Sequence, residues 1–417
     1  DRFAPGLSPV SPAAMAASAV TGLGVVSSLG GSVEAFARAL LAGTCAIGDL
    51  SDVVEPTQRV RIGAPIRGFH ALDHFDTRSA GHLDRFSQFA AVAARQAWAE
   101  AGVAGAAPPH RIGVAIGSSV SGLDILDAGF RRIHLEGKRP DPFTVPMTMG
   151  NAPTSRIAQE IGAHGPAFGM NSACASATHA ILFGHKLIQS GLVDVFVAGG
   201  TDSCFSDGYL RAWDGLRVLS PEPCRPFAAG RRGLSMGEGA AVVVLESAEH
   251  ARRRGAAVRA WLRGGGMSSD AGGILAPEAN GMEAAIRAGL ADAGVAADEI
   301  DHVNAHGTGT TANDRAEAEA LRRVFADRTA TLGVSSTKSM IGHCMGASGA
   351  LEALATIVAL EAQAIPPTVN VDGPAPDCPI DLVVGAARER PMRFALSDSF
   401  GFGGLNGTLV FERASRS

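Results

Sequence analysis

A cysteine within GMNSACASAT, residues 169–178, is the residue of this chain whose surroundings most suggest chemistry. A short apolar run, Pro166 to Met170, stops at Asn171 and Ser172. Cys174 then sits among small residues, and an apolar helix pattern begins. That order places a thiol at a strand-to-helix turn, where unpaired backbone N–H groups favour the thiolate. An ordinary cysteine, with a pKa of about 8.5, is only a few per cent ionised at neutral pH, so the placement matters for a nucleophile. A small buried cysteine packed under a helix is the other reading of the same stretch.

Two histidines stand in glycine-rich loops after predicted strands. His306 lies in VNAHGTGTTAND and His343 in STKSMIGHCMGASG, with Lys338 shortly before it. Small neighbours let a substrate approach closely, and the hydroxyls of Thr308 and Thr310 can bond a ligand amide. Either histidine alone also fits a packing role or a surface role; the shared loop setting singles the two out.

The elements that must position these residues can be read from periodicity. Residues 16–30 read as a strand ending in a glycine turn, followed by a helix from Val33 to Leu41. A second helix, Leu83 to Ala101, shows Phe86, Phe89, Ala90, Ala93 and Trp98 on one face and ends at Gly102, a suitable C-cap. A buried strand, Ile112 to Ile116, comes next.

This grammar then repeats. AEAGV at 99–103 and ADAGV at 291–295 each close a helix, and each precedes a strand, at 111–117 and 300–306. The strand before Cys174 leads into a helix through Ile181, Leu182 and Leu187. Thr331 to Ser335 leads into one carrying Leu351, Leu354 and Val358. Two matches in the same order predict an internally duplicated α/β protein, whose equivalent loops can meet near a pseudo-twofold axis. The first copy holds an extra segment containing DPFTVP, expected to wall the site. The Gly- and Arg-rich stretch from Phe227 to Gly239 reads as a loop over the site or surface.

Ala240 to Glu246 and Thr408 to Glu412 read as the strands that close each half, and EHARRRGA marks an exposed boundary near Ala256. The expected organisation is a flexible extension over residues 1–15, with Met15 as a native start, then one half over 16–256 and another over 257–417. With 417 residues, 46% hydrophobic and 18% charged, the chain has the composition of a soluble globular protein. A net charge of -5 without a basic stripe gives no footprint for nucleic acid. No run of about 18 uncharged apolar residues suggests a membrane span. The six cysteines are scattered without a CxxC pair, which argues against a structural zinc site and a disulfide framework and makes a reducing cytoplasm the expected setting.

From about Ala17 to Arg413 the sequence resembles the β-ketoacyl-[acyl carrier protein] synthases, in particular the type II elongating enzymes and their relatives in polyketide or nodulation-factor pathways. The resemblance rests on SACASA around Cys174, VNAHGTGT around His306, SSTKSMIGHCMGASGALE around Lys338 and His343, and SFGFGGLNG from Ser399. It implies a thiolase-like duplicated α/β fold, layered α/β/α/β/α with mixed five-stranded sheets. It also implies that Cys174 takes an acyl chain as a thioester, while His306 and His343 assist decarboxylation of malonyl-carrier protein and stabilise the enolate. The backbone N–H groups of Cys174 and Phe402 would form the oxyanion hole.

By the same resemblance, Phe402 is a gate with Phe400 behind it, and Lys338 pairs with Glu352, in a structural or a direct catalytic role. Thr308 and Thr310 hold a phosphopantetheine arm that arrives on the carrier protein, with no cofactor or metal of the chain's own. The implied partners are acyl carrier protein, malonyl and acyl thioesters, and a second subunit in a homodimer or heterodimer. Three residues depart from the family pattern. Val120 is smaller than the residue often found at the end of the acyl pocket, Thr144 replaces an aromatic near the dimer interface, and Asp398 stands where Asn is frequent. The first departure predicts a roomier acyl tunnel. A catalytically silent partner subunit, a thiolase and a starter-unit synthase are the alternatives. Cys174 with two histidines argues for the active, malonyl-dependent form.

Overall fold

The computed structural model describes residues 17–415, so the extension expected over residues 1–15 lies outside the described residues. Ten strands build the main sheet: β1 (Ser18–Ser27), β2 (Ile112–Gly117), β3 (Ala167–Met170), β4 (Val195–Asp202), β5 (Gly239–Ser247), β6 (Ala260–Ser269), β7 (Ile300–Asn304), β8 (Val334–Ser335), β9 (Phe394–Gly401) and β10 (Leu405–Arg413). Their order is β8-β7-β9-β10-β6-β1-β5-β4-β2-β3. Cut between β6 and β1, it gives two five-stranded halves with the same internal order. In each, the second strand runs parallel to the third and fourth, and the fifth lies antiparallel to the fourth and the first. The expected five-stranded mixed sheets are therefore present. They are also joined edge to edge, through the pairs Ser18–Leu262, Ala19–Trp261 and Val20–Ala260.

The main helices are α1 (Arg85–Ala101), α2 (Leu123–Glu136), α3 (Ser176–Gln189), α4 (Asp207–Gly215), α5 (Ala279–Ala293), α6 (Thr311–Phe325) and α7 (Ser348–Ala362). The AEAGV and ADAGV repeats are the C-caps of α1 and α5, where Gly102 and Gly294 turn left-handed at φ 58° and 63°. Helix α1 covers the outer face of the first half-sheet, and α5 with α6 covers that of the second. Between the sheets lie α3 and α7, both packed on strands of both halves. Burial on every side explains why residues 345–362 are apolar enough to pass for a membrane span while 89% of them are buried inside the protein.

One repeat escapes periodicity because it is a matter of clearance. A Cβ at Gly24 on β1 would lie 1.9 Å from the Ala93 carbonyl oxygen of α1. A Cβ at Gly266 on β6 would lie 2.1 Å from the Ala285 oxygen of α5. β1 reads SAVTGLGVVS and β6 AWLRGGGMSS, so the glycines occupy equivalent places, and each outer helix sits directly on strand backbone. The expected strand at Thr331–Ser335 is only Val334–Ser335, because the 3-10 turn Ala326–Ala330 runs up to it with Thr331 as its cap, and Gly333 is left-handed.

Asp398 on β9 is fully buried. Thr408 Oγ1 donates to its Oδ1 at 2.7 Å, and its Oδ2 has no partner among the described residues. Burial pushes its carboxyl up to about 7, against the Thr408 hydrogen bond, and the Glu352 carboxylate adds to the rise.

Two stability measurements follow from these contacts. Gly24→Ala is expected to cost about 3 kcal/mol or more in denaturant unfolding, because the clash is with helix backbone, while Gly31→Ala, with open space around it, stays within about 0.5 kcal/mol. Between pH 4 and 7 the folded chain keeps an Asp398 proton that the unfolded chain has lost, so this group's contribution falls as pH rises through that window. Asp398→Asn should therefore gain on the wild type between pH 4 and pH 8 by as much as roughly 4 kcal/mol. Equal pH slopes for the two proteins would refute this account.

Candidate functional site

Cys174 lies in the turn between β3 and α3, one residue before the helix N-cap Ala175. The turn is held by Ser176 Oγ, which accepts from Ser172 N at 2.9 Å and donates to the Ala173 carbonyl at 2.6 Å, with Ala173 left-handed at φ 52°. The helix-start placement is as expected, but the thiolate is not. Cys174 is only 5% exposed, and burial pushes its thiol up to about 11, against the Phe402 backbone N–H and the nearby Lys338 ammonium. The resting side chain is a thiol.

His306 follows β7 and His343 follows β8, so the two come from successive strand ends of the second half, while Cys174 follows the strand of the first half equivalent to β8. The three converge: a cysteine sulfur and one nitrogen from each imidazole lie within 4.8 Å of one another. The rings meet edge to face at 5.4 Å. Glu317 of α6 fixes the His306 loop by accepting from His306 N at 2.7 Å and Gly307 N at 2.8 Å, and burial lifts its carboxyl to about 8. The stretch from Phe227 to Gly239 lies over the site as expected. Its Ser235 carbonyl accepts from His343 N at 2.7 Å, Gly237 N donates to the His343 carbonyl at 2.9 Å, and Leu234 lines the cavity.

The protonation of both imidazoles follows from their partners. Lys338 Nζ, which can only donate, approaches His306 Nδ1 at 3.2 Å. Met345 N donates to His343 Nδ1 at 3.0 Å, with Ser348 Oγ at the same distance. Both Nδ1 atoms are therefore acceptors, and each ring carries its proton on Nε2. Burial and the Lys338 charge hold both histidines well below their ordinary pKa, so both are neutral. Two N–H donors thus converge beside a thiol. Lys338, 1% exposed, is paired with fully buried Glu352, whose carboxyl burial lifts to about 7 against the ammonium. A Cys–His–His set is also one that a soft metal ion could take, but the adjacent ammonium repels a dication and the Nδ1 bonds leave the rings set as donors.

These groups line a cavity of about 100 Å³ with Thr308, Thr310, Phe400 and Phe402, opposite Trp213, Val218 and Ile274 to Pro277. The two threonine hydroxyls bond each other at 2.9 Å. Phe400 packs against His306, 6.1 Å between ring centres, and itself lines the cavity. The Phe402 ring stacks on Trp213 at 5.5 Å, and its neighbours Gly403 and Gly404 are left-handed at φ 82° and 69°.

Val120 and Thr144 are not on the cavity wall. Val120 packs in an apolar cluster with Leu210, Trp213, Met345, Tyr209 and Phe402, so its small size opens no roomier tunnel in this state. Thr144 begins a short helix, Thr144–Thr148, and lies against Gly129 of α2. The extra segment likewise lends no wall; it braces α4, through Arg131 and Asp207 at 3.3 Å. Sequence reasoning also passed over Asp202, a buried carboxylate that accepts from Ser118 Oγ, Ser119 N, Val120 N and Gly346 N at 2.6–3.1 Å. It ties the loop after β2 to the turn entering α7. Its place at the end of β4 was the only signal.

Sequence profiles agree with this architecture. One described as "Beta-ketoacyl synthase, N-terminal domain" matches residues 17–251, and one described as "Beta-ketoacyl synthase, C-terminal domain" matches residues 259–372. The chain is 41% identical to Nodulation protein E of Rhizobium sp. (strain N33), over 94% of this chain and 98% of that protein. It is 38% identical to 3-oxoacyl-[acyl-carrier-protein] synthase 2 of Coxiella burnetii (strain RSA 493 / Nine Mile phase I), with the same coverage of 94% and 98%. Among solved structures, the ishigamide ketosynthase/chain length factor superposes with a TM-score of 0.90 at 32% identity, covering 96% of this chain and 99% of that one. Profile, full-length relatives and superposed fold all span the same duplicated body that brings the thiol and the two imidazoles together, and by them this chain belongs to the β-ketoacyl synthase family of condensing enzymes.

Proposed function

We propose that this condensing enzyme acts as an acyltransferase through Cys174 and that His306 and His343 serve its second half-reaction. In the first, the Cys174 sulfur attacks the thioester of an acyl chain on a carrier protein. The oxygen charge that develops is met by the backbone N–H groups of Cys174 and Phe402, and the carrier thiol leaves with the proton of Cys174. In the second, malonyl on a carrier protein loses carbon dioxide, and the enolate oxygen that remains is met by the Nε2–H groups of His306 and His343. The enolate carbon then attacks the Cys174 thioester, and the C–S bond breaks with its electron pair left on the Cys174 sulfur, which takes a proton from solvent to restore the thiol. The chain leaves longer by two carbons. Every group needed is a side chain or backbone amide of the chain, so the only arm required is the phosphopantetheine that the carrier protein brings.

The observation that carries this reading is the pair of neutral imidazoles whose Nδ1 atoms are both occupied by donors. Rings fixed in that way are poor bases and good donors, which suits a developing oxyanion better than thiol deprotonation. Thr308 and Thr310, on the cavity wall, are placed to bond the amides of the arm.

A second subunit is part of the proposal. The free edge of β8 is covered by backbone bonds with Asp381 and Val383, whereas β3 ends the sheet at the other side with Ala167 and Gly169 exposed. Near it in sequence, Phe143, Val145 and Met149 are 45%, 69% and 48% exposed. An unpaired edge beside exposed apolar residues favours a partner of the same build. The ketosynthase/chain length factor pairing named for the ishigamide protein supports a related subunit there, and a second copy of this chain fits the same edge.

Mass spectrometry of the intact protein, incubated with a series of acyl-carrier proteins, tests the first step. Cys174→Ala should show no acyl adduct, and persistent acylation would remove the nucleophile assignment. Carbon dioxide release from malonyl-carrier protein tests the second. His306→Ala and His343→Ala should each lower it about 10²- to 10³-fold, the usual effect of losing one oxyanion donor, while the acyl adduct on Cys174 still forms. Loss of acylation and decarboxylation in equal measure would contradict the division of labour.

A further inference from the structure

Two phenylalanines, Phe400 and Phe402, stand two positions apart and pack on different rings. Phe400 lies against His306, whereas Phe402 stacks on Trp213 of α4, with 5.5 Å between ring centres and 25° between planes. The members of this second pair differ in freedom. Trp213 is 8% exposed, lines the cavity and stands on a helix pinned at both ends: Gln58 Nε2 donates to the Asp207 carbonyl at 2.9 Å, and Arg59 Nε donates to Asp214 Oδ2 at 2.9 Å. Phe402 stands between Gly401 and left-handed Gly403 and Gly404, where the backbone has its widest choice. The indole is the fixed member, and the phenyl ring is the one that can leave.

The resting place of that ring bears on Cys174. A Cβ at Gly401 would lie 3.0 Å from the Ser172 carbonyl oxygen and 3.3 Å from Cys174 N, so the backbone leading into Phe402 rests on the turn that holds the thiol. Phe402, Trp213 and Cys174 all line the same cavity. A stacked ring pair is worth more than the area it buries, about threefold to tenfold in an equilibrium constant. The stack therefore weights the state in which Phe402 stays packed beside the Cys174 turn.

We propose that Trp213 is a positioning residue for the condensing reaction: its indole face seats Phe402 in the resting state and so sets how often Cys174 is open to an incoming thioester. It acts through Phe402 and not on the reacting atoms. This rests on the reading of Phe402 as a gate, and the test separates the two.

The test is labelling of the full-length protein with N-ethylmaleimide, read by mass spectrometry of the Cys174 peptide. The Cys344 and Cys378 peptides serve as controls, since both side chains are 0% exposed and react only when the fold opens. Phe402→Ala should speed Cys174 labelling about tenfold; a wild-type rate would overturn the gate reading, and this inference with it. Trp213→Leu, apolar but without a ring face, should speed it about threefold to tenfold, and Trp213→Phe should stay within about twofold of wild type. In the Phe402→Ala background Trp213→Leu should add nothing, because the ring it acts through is gone. A wild-type rate in Trp213→Leu beside a fast Phe402→Ala overturns the proposal alone. So does equal acceleration with and without Phe402, or labelling of Cys344 and Cys378 in step with Cys174. Should Trp213→Leu fail to fold, tryptophan emission during loading with octanoyl-pantetheine decides. It should change in wild type as the Cys174 adduct forms and stay constant in Trp213→Phe, and an adduct without that change in wild type overturns the proposal.

Discussion

A lysine ammonium buried at the centre of the protein is the constraint on which the site depends. Lys338 is 1% exposed, and an uncompensated charge there would cost several kcal/mol. Its counter-charge, Glu352, comes from α7, so that helix has to lie between the two half-sheets and cannot sit on an outer face. The same ammonium reaches His306 Nδ1 and thereby sets which nitrogen of that ring faces the cavity. One Nζ thus serves both the ion pair and the histidine tautomer. The two readings of Lys338, structural or catalytic, meet in a single arrangement, and under the proposed function it acts as a positioning residue.

Duplication supplies what one copy cannot. Each half ends its third strand in a turn that leads to a central helix, and those helices pack against each other across the pseudo-axis. One turn carries a thiol and the other an imidazole. Neither half holds a thiol and a donor pair by itself, so the chemistry exists only at the join. The glycines of β1 and β6 keep both outer helices tight on their sheets, and the three residue pairs between those strands make the two sheets one body.

Much of this was legible in the sequence because it is local. Cap glycines after AEAGV and ADAGV, the strand before Cys174 and the loops around His306 and His343 depend on neighbours within a few positions, and all are found where expected. The remainder was not local. Whether Cys174 is a thiol or a thiolate is decided by burial, which outweighs the helix start, the nearby Lys338 ammonium and the backbone N–H of Phe402, more than two hundred positions away in the chain. The roomier tunnel was read from Val120 alone, but that side chain packs in a cluster with Tyr209 and Trp213 of α4, which carry no motif. Asp202 and Glu317 were missed for the same reason: what marks them is the set of backbone N–H groups each accepts, and that appears only once distant loops meet.

A resting site with a neutral thiol and two neutral imidazoles holds little charge that a solvent-borne electrophile could exploit. Burial that lifts Cys174 to about 11 also shields it, since the reactive species is the thiolate. Activation then has to come with the substrate. Under the proposed mechanism, the acyl carbonyl meets the backbone donors as the carrier's arm enters, and the departing carrier thiol takes the proton. The same logic would hold for the proposed second step, in which both Nε2–H groups would find an acceptor strong enough to reward them only as the malonyl group starts to lose carbon dioxide. Donors arranged in this way favour the charge that appears during reaction over the neutral ground state, which is where a condensing enzyme gains rate.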